Sequence, residues 1–184
     1  IRPHFFFNTL NTVASLIVID PDKAERMLVD LAQLFRAVLK ADDKLVPITQ
    51  EIELGRRYLD IEQVRLCDRM TVNFVLPPEL PELKVPQLLL QPLLENAVYH
   101  GIQPSITGGF ITITLTQKTA GWLLEIRNSK DSSVVTDHGN HMAQANIRAR
   151  LEAISDESQL AELRIEDSGQ HYLAQLYLPK AKPD

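Results

Sequence analysis

A change of hydrophobic period near residue 70 constrains this chain more than any other feature. Upstream, Ala24, Met27, Leu28, Leu31, Leu34, Phe35, Val38 and Leu39 trace an i, i+3, i+4, i+7 stripe, the spacing of one helix face. Downstream, Phe110 to Thr116 alternates Ile/Thr/Ile/Thr/Leu/Thr, the pattern of a half-buried antiparallel strand. A helical N-terminal part must therefore lead into a part that contains a sheet.

The first helix is expected from about Pro3 to Ile19. Asp20-Pro21-Asp22 breaks it, because Pro21 suits a first helical position and Asp20 or Asp22 can cap the next helix. Two short amphipathic helices form a hairpin that buries little surface alone. The stripe therefore predicts pairing with a second copy as a four-helix bundle, with residues 1–42 as the dimerisation unit. Residues 41–47 read as a link into a second unit over 43–184. There a helix is expected over about Ile48 to Leu66, with Thr49 in its cap region. A strand follows over Met70 to Leu76, then a helix opened by Pro86 and apolar nearly all round through Val98. Strands at Phe110 to Thr116 and Trp122 to Arg127, a polar loop from Asn128 to Asn140, a helix over Ala145 to Ile154, and strands near Leu163 to Glu166 and Tyr172 to Leu178 complete the order. The expected class is α+β: a helical hairpin, then a two-layer α/β sandwich with helices on one face of a mixed sheet.

The 184 residues carry a formal charge of -5, which argues against a nucleic-acid surface. Cys67 is the only cysteine, so no internal disulfide is possible and a cysteine-based metal site is excluded in practice. No apolar run approaches the roughly 20 residues of a membrane helix. The chain opens Ile-Arg-Pro-His without an initiator Met, and it is expected to be a piece of a longer protein.

Three constellations carry chemistry. In Pro3-His4-Phe5-Phe6-Phe7-Asn8, His4 and Asn8 are i and i+4, so the amide can orient the imidazole for in-line attack on a phosphorus. Alone, His4 reads more readily as a surface histidine on a packing helix. In Gln91-Pro92-Leu93-Leu94-Glu95-Asn96-Ala97-Val98-Tyr99-His100-Gly101, polar Glu95, Asn96 and His100 interrupt a greasy helix. Burying them without partners costs on the order of 1–3 kcal/mol each, and a hydrated Mg2+ with a triphosphate would satisfy them. A solvent-facing polar edge accounts for them equally well. In Gly139-Asn140-His141-Met142-Ala143-Gln144-Ala145-Asn146-Ile147-Arg148-Ala149-Arg150-Leu151, a loop entering a helix presents free amides to an anion, with arginines adding charge.

Together these segments resemble the LytS-like sensor histidine kinases, and most closely the AlgZ (FimS) group. Arg2-Pro3-His4-Phe5-Phe6-Phe7-Asn8-Thr9-Leu10-Asn11 is similar to that family's phospho-acceptor box. Arg57-Tyr58-Leu59-Asp60-Ile61-Glu62-Gln63-Val64-Arg65 is similar to the segment before its ATP domain. Gln91 to Ala97 is similar to its N box, and Asn146 to Leu151 to the end of its ATP lid. The resemblance implies a Bergerat-type ATP-binding domain, ATP and Mg2+, and a homodimer. It implies transfer from His4 to an aspartate of an AlgR-like, LytTR-type response regulator. It also implies residence as the cytoplasmic part of an inner-membrane protein, attached through a portion outside this sequence. His4 and Asn8 are the implied catalytic residues. Glu95, Asn96, His100, Asn128, Gly139, Asn146 and Arg148 are the implied nucleotide residues, and Asn96 the Mg2+ ligand.

The chain departs from that pattern in places. Asn128-Ser129-Lys130 stands for Asp-Asn-Gly at the adenine pocket, and an amide accepts more weakly than a carboxylate. Gly139-Asn140-His141-Met142-Ala143 keeps one glycine of Gly-x-Gly-x-Gly, Tyr99 stands where a lysine is common, and no acid follows His4. A catalytically weak or phosphatase-biased dimeric scaffold with the same fold is the alternative expectation. A stand-alone Bergerat ATPase is disfavoured by the hairpin that bears His4.

Overall fold

The computed structural model describes residues 1–133, 140–156 and 159–180. Helix α1 spans Pro3–Ile19 and helix α2 spans Pro21–Leu39. The junction is built as the sequence requires: Pro21 occupies the first turn and the Asp20 carboxylate accepts the Lys23 amide at 3.1 Å.

The α2 stripe divides in two, which corrects the expectation that it lies whole between chains. Ala24, Met27, Leu31 and Leu34 are buried within this chain, while Leu28, Phe35 and Leu39 stay exposed. The reason is helix α3 (Ile48–Leu66), which packs on α2 and gives the hairpin an intramolecular partner. Arg57 on α3 bridges to Asp30 on α2 at 2.8 Å and to Glu53 at 3.4 Å. The exposed edge of α2 continues on α1 through Phe7, Leu10 and Ile17.

The link expected over 41–47 ends in a short strand, β1 (Leu45–Pro47). It pairs antiparallel with β3 (Lys84–Pro86), Val46 opposite Val85. Three-residue strands carry too few alternations to be seen in sequence. Thr49 does not cap α3. The helix follows Pro47 directly, and the Ile48 amide donates to the Leu83 carbonyl at 2.7 Å.

The main sheet comprises β2 (Met70–Val75), β4 (Gly109–Lys118), β5 (Gly121–Ser129), β6 (Glu162–Asp167) and β7 (His171–Pro179). Its order is β2-β4-β5-β7-β6, with β2 and β4 parallel and the other pairs antiparallel. One row across it aligns Leu115, Leu124, Leu176 and Leu163, all buried. Period-two alternation thus turns one leucine per strand toward the helical layer. The expected mixed sheet with helices over one face is present, and no described helix is long and apolar enough to cross a membrane.

The helix expected from Pro86 begins later, as α4 (Gln91–Asn96), and continues as a π-helical turn over Ala97–Ile102. Pro86 itself closes β3, and Leu88 adopts φ 57°, which no helix accepts. The last helix, α5, spans Asn140–Leu151, beginning before the expected Ala145.

Candidate functional site

The N-terminus of α1 lies against the end of α4. A cleft of about 200 Å³ separates them, lined by Arg2, His4, Phe5 and Asn8, by Tyr58, Glu62 and Arg65 of α3, and by Glu95, Val98, Tyr99 and Gln103. Phe5 anchors this wall: it is buried, and its ring centre lies 5.2 Å from that of Tyr58. The charged floor is closed on itself. Arg65 donates to both oxygens of buried Glu62, at 2.6 and 3.2 Å, and to Gln103 Oε1 at 3.2 Å.

His4 is exposed at the mouth of this cleft. The expected orienting bond from Asn8 is not made, and no hydrogen bond joins the two side chains among the described residues. Arg2 makes the contacts instead. Its guanidinium lies 4.0 Å from the centre of the Tyr99 ring, an arrangement worth about 0.5–1 kcal/mol at an exposed site. Its Nη2 lies 3.4 Å from His100 Nε2. Arginine only donates, so in this contact the imidazole nitrogen takes the acceptor role that the neutral ring offers. Burial, and then the neighbouring Arg2 charge, hold the His100 pKa below its ordinary value, which favours the same state.

Glu95 lines the cleft with the start of α1, and His100 lies next to the Arg2 guanidinium. Burial pushes the Glu95 carboxyl up, partly countered by the Ile1 ammonium, then by Gln91 and Arg2. Glu95 Oε1 is shielded from solvent and lies 3.8 Å from the Ile1 ammonium. Asn96 is 6 % exposed and belongs to the protein interior. Asn128 on β5 is buried too, and its amide packs on Gly101, where a Cβ would collide with Asn128 Nδ2. Glycine is required there for the π-turn to approach the sheet. Asn128 Nδ2 donates to the Ser129 carbonyl at 2.9 Å, but Oδ1 is buried with no partner.

Of the lid residues, Gly139 lies outside the described residues. Asn146 and Arg148 are exposed on α5. Arg148 Nη2 donates to the Leu163 carbonyl of β6 and Nη1 to Gln144, each at 3.4 Å, so it is not gathered with Asn96 or His4. Arg150 turns inward instead and donates to the Leu88 carbonyl at 3.2 Å. The Leu88 amide in turn donates to buried Glu51 at 2.7 Å. Among the described residues no group of three or more His, Cys, Asp or Glu is placed to hold a metal ion.

Sequence reasoning missed Arg2, Tyr99 and Glu51 as contributors. Arg2 and Tyr99 both sit inside the quoted motifs. A cation beside His4 and an aromatic on the opposite motif were a readable pair, whereas Glu51 gives no sign of its distant partner.

Residues 1–70 match the family model for histidine kinases. The chain is 34 % identical over 194 aligned residues to the sensor protein LytS of Oceanobacillus iheyensis, covering 97 % of this chain and 33 % of that protein. It is 35 % identical over 129 residues to the sensor histidine kinase BtsS of Escherichia coli, covering 70 % of this chain and 23 % of that protein. The chain thus spans a third or less of the length of these relatives. Its fold resembles the histidine kinase domain of the Erythrobacter litoralis blue-light activated histidine kinase, with TM-score 0.52, 16 % identity, and coverage of 90 % of this chain and 80 % of that one. It also resembles the catalytic domain of histidine kinase ThkA, with TM-score 0.56, 13 % identity, and coverage of 74 % and 95 %. The chain is thus similar in sequence to LytS-type sensor histidine kinases over the part of them that it spans, and it shares the fold of histidine kinase catalytic domains.

Proposed function

We propose that the chain is the core of a sensor histidine kinase that phosphorylates its own His4 from ATP and passes the group to an aspartate of a response regulator. The observation that supports this reading is that His4 and Glu95, the residue before Asn96, line one cleft. Residues 1–42 would serve as the dimerisation and acceptor unit and residues 43–184 as the nucleotide unit. The exposed apolar edge of Phe7, Leu10, Leu28, Phe35 and Leu39 supports a homodimer.

The residues present fit the nucleotide. Buried Asn128 Oδ1 lacks a donor, and the exocyclic amino group of adenine supplies one. Asn96 offers a single amide oxygen, the share of a Mg2+ shell that a protein provides when phosphates and water supply the rest. Bound Mg2+ would neutralise charge on the transferring phosphoryl group. In the transfer, an unprotonated nitrogen of His4 forms the bond to the γ-phosphorus, the bond to the bridging oxygen breaks, ADP leaves, and the ring proton is released. The partner regulator is of the AlgR-like, LytTR type under the AlgZ-group reading, and the parent protein sits in the inner membrane. The test is incubation of the full chain with γ-labelled ATP. The label should be acid-labile and base-stable, as a phosphoramidate is, and His4→Gln should remove it. A label that survives His4→Gln identifies another acceptor. Bound ATP without any label favours the phosphatase-biased scaffold.

A further inference from the structure

The start of α1, which carries His4, is fastened to the π-turn and to α3 of its own chain. Arg2 stands two residues before His4. It stacks on Tyr99 at 4.0 Å and lies 3.4 Å from His100, both on the π-turn of the same chain. Phe5, the residue after His4, is buried against Tyr58 of the same chain. His4 is therefore bracketed by two anchors, one on each side. Glu95 lines the same cleft as His4 and is covalently joined to Asn96, so their Cα atoms are about 3.8 Å apart. The wall of the cleft opposite α3 and α4 is thus supplied by the α1 of the same chain, through Arg2, His4, Phe5 and Asn8.

From this arrangement we infer that phosphoryl transfer runs within one chain: each protomer's His4 receives the γ-phosphoryl group of the nucleotide bound in its own chain, and Arg2 is the positioning residue that selects this route. The inference rests on the kinase reading above, yet the two fail separately. Transfer within the chain needs no exchange of nucleotide domains across a dimer. It requires only that the Arg2 clamp persist while the phosphoryl group moves from the leaving oxygen to the His4 nitrogen.

Two measurements on the full chain test it. The first does not depend on activity. Cysteines placed at Asn8 and Gln103, on opposite walls of the cleft, with Cys67→Ser to remove the native thiol, are treated with a short bis-maleimide. Closure within one polypeptide, seen as a cross-linked species of single-chain mass, is expected. Cross-linking into a two-chain species, or none at all, overturns the inference. The second uses mixed dimers in which one chain carries His4→Gln and the other Asn96→Ala, isolated through two different tags. The expected label is at background, since neither chain has both acceptor and nucleotide site. Label near half the wild-type amount shows transfer between chains and overturns the inference. An unlabelled wild-type dimer would remove the kinase reading, while the cross-link would still decide whether the acceptor helix docks on its own chain. Arg2→Ala should reduce the intrachain cross-link several-fold while leaving Mg-ATP affinity unchanged. Arg2→Lys, which keeps the charge but loses the planar stack, should restore it only in part.

Discussion

The Glu51 carboxylate accepts the Leu88 amide at 2.7 Å although 37 residues separate them, and it does so almost entirely out of water. It also reaches the Leu90 amide at 3.4 Å, so one side chain of α3 satisfies the turn that launches α4. Leu88 holds φ 57°, a left-handed conformation that costs a non-glycine residue roughly 1–2 kcal/mol. Arg150 takes the other end of the same residue through its carbonyl. Glu51, Leu88 and Arg150 thereby join α3, the start of α4 and the end of α5 in one connected set.

This link predicts a stability change with a defined pH signature. Glu51→Ala leaves two amides without their acceptor and should destabilise the fold by about 1–3 kcal/mol in denaturant unfolding. Burial raises the Glu51 pKa above 4.5, only partly offset by the three amides of the turn and by Arg150. A raised carboxyl pKa means the native state binds the proton more tightly than the unfolded chain. Its contribution is fully present below the unfolded pKa and is lost as pH rises through the folded one. Wild type should therefore gain stability relative to Glu51→Gln as pH falls toward 4.5. A difference between the two proteins that is flat with pH would show that Glu51 ionises in the fold as it does in water.

On the homodimer reading, the interface uses the exposed half of the α2 stripe and not its buried half. Phe35 and Leu39 are 45 % and 70 % exposed, whereas Leu34 is fully buried and Leu31 nearly so. Replacing Phe35 and Leu39 together with Glu should yield a folded monomer, measured by analytical ultracentrifugation with circular dichroism alongside. Leu34→Asp should instead unfold the chain, because it places a charge where no partner exists. A dimer that survives the first change would move the interface to the α1 edge around Phe7 and Leu10.

The difference between these two outcomes marks what the sequence could and could not convey. Long periodic elements were legible. The α1 bounds, the Asp20 cap, the α3 span and the alternating strands follow from spacing and turn chemistry alone. Residues that act across distance were not. Periodicity says that Leu31 and Phe35 share a face, but not that α3 covers one and leaves the other. Nor does it place Glu51 under Leu88 or Arg2 on Tyr99, since each pairing depends on tertiary placement. The late start of α4 was hidden for the same reason: its cause is a left-handed Leu88 held by groups from two other helices.

His100 gives a titration test of the docked start of α1. Its pKa is lowered from 6.5 by burial first and by Arg2 second. A depressed histidine pKa means that the undocked or unfolded chain takes up the proton more readily. The docked arrangement should therefore weaken as pH falls below about 6.5 and be unaffected by this group at higher pH. Proton NMR of the imidazole should report a midpoint under 6.5 in the wild type. In Arg2→Ala the midpoint should rise, since both causes are relieved together. A midpoint unchanged by that substitution would separate His100 from Arg2.

The two buried asparagines should answer differently when nucleotides are titrated calorimetrically. Asn128 Oδ1 has no partner in the protein, so Asn128→Ala removes a group whose burial was already uncompensated, and thermal stability should change little. If that oxygen receives the adenine amino group, the loss of one hydrogen bond, about 0.5–1.5 kcal/mol, lowers affinity roughly 3- to 10-fold. The loss should be equal for ATP, ADP and AMP, with or without Mg2+, because only the base is affected. Asn96→Ala should instead abolish the Mg2+-dependent part of ATP affinity and leave AMP binding untouched. Alanine suits a helix interior, so the fold should persist. Asn128→Asp offers a charged acceptor to the same amino group and should bind adenine nucleotides more tightly than wild type, provided the carboxylate stays ionised beside Gly101. Loss of ATP affinity in Asn128→Ala with AMP unaffected would place Asn128 at the phosphates and not at the base.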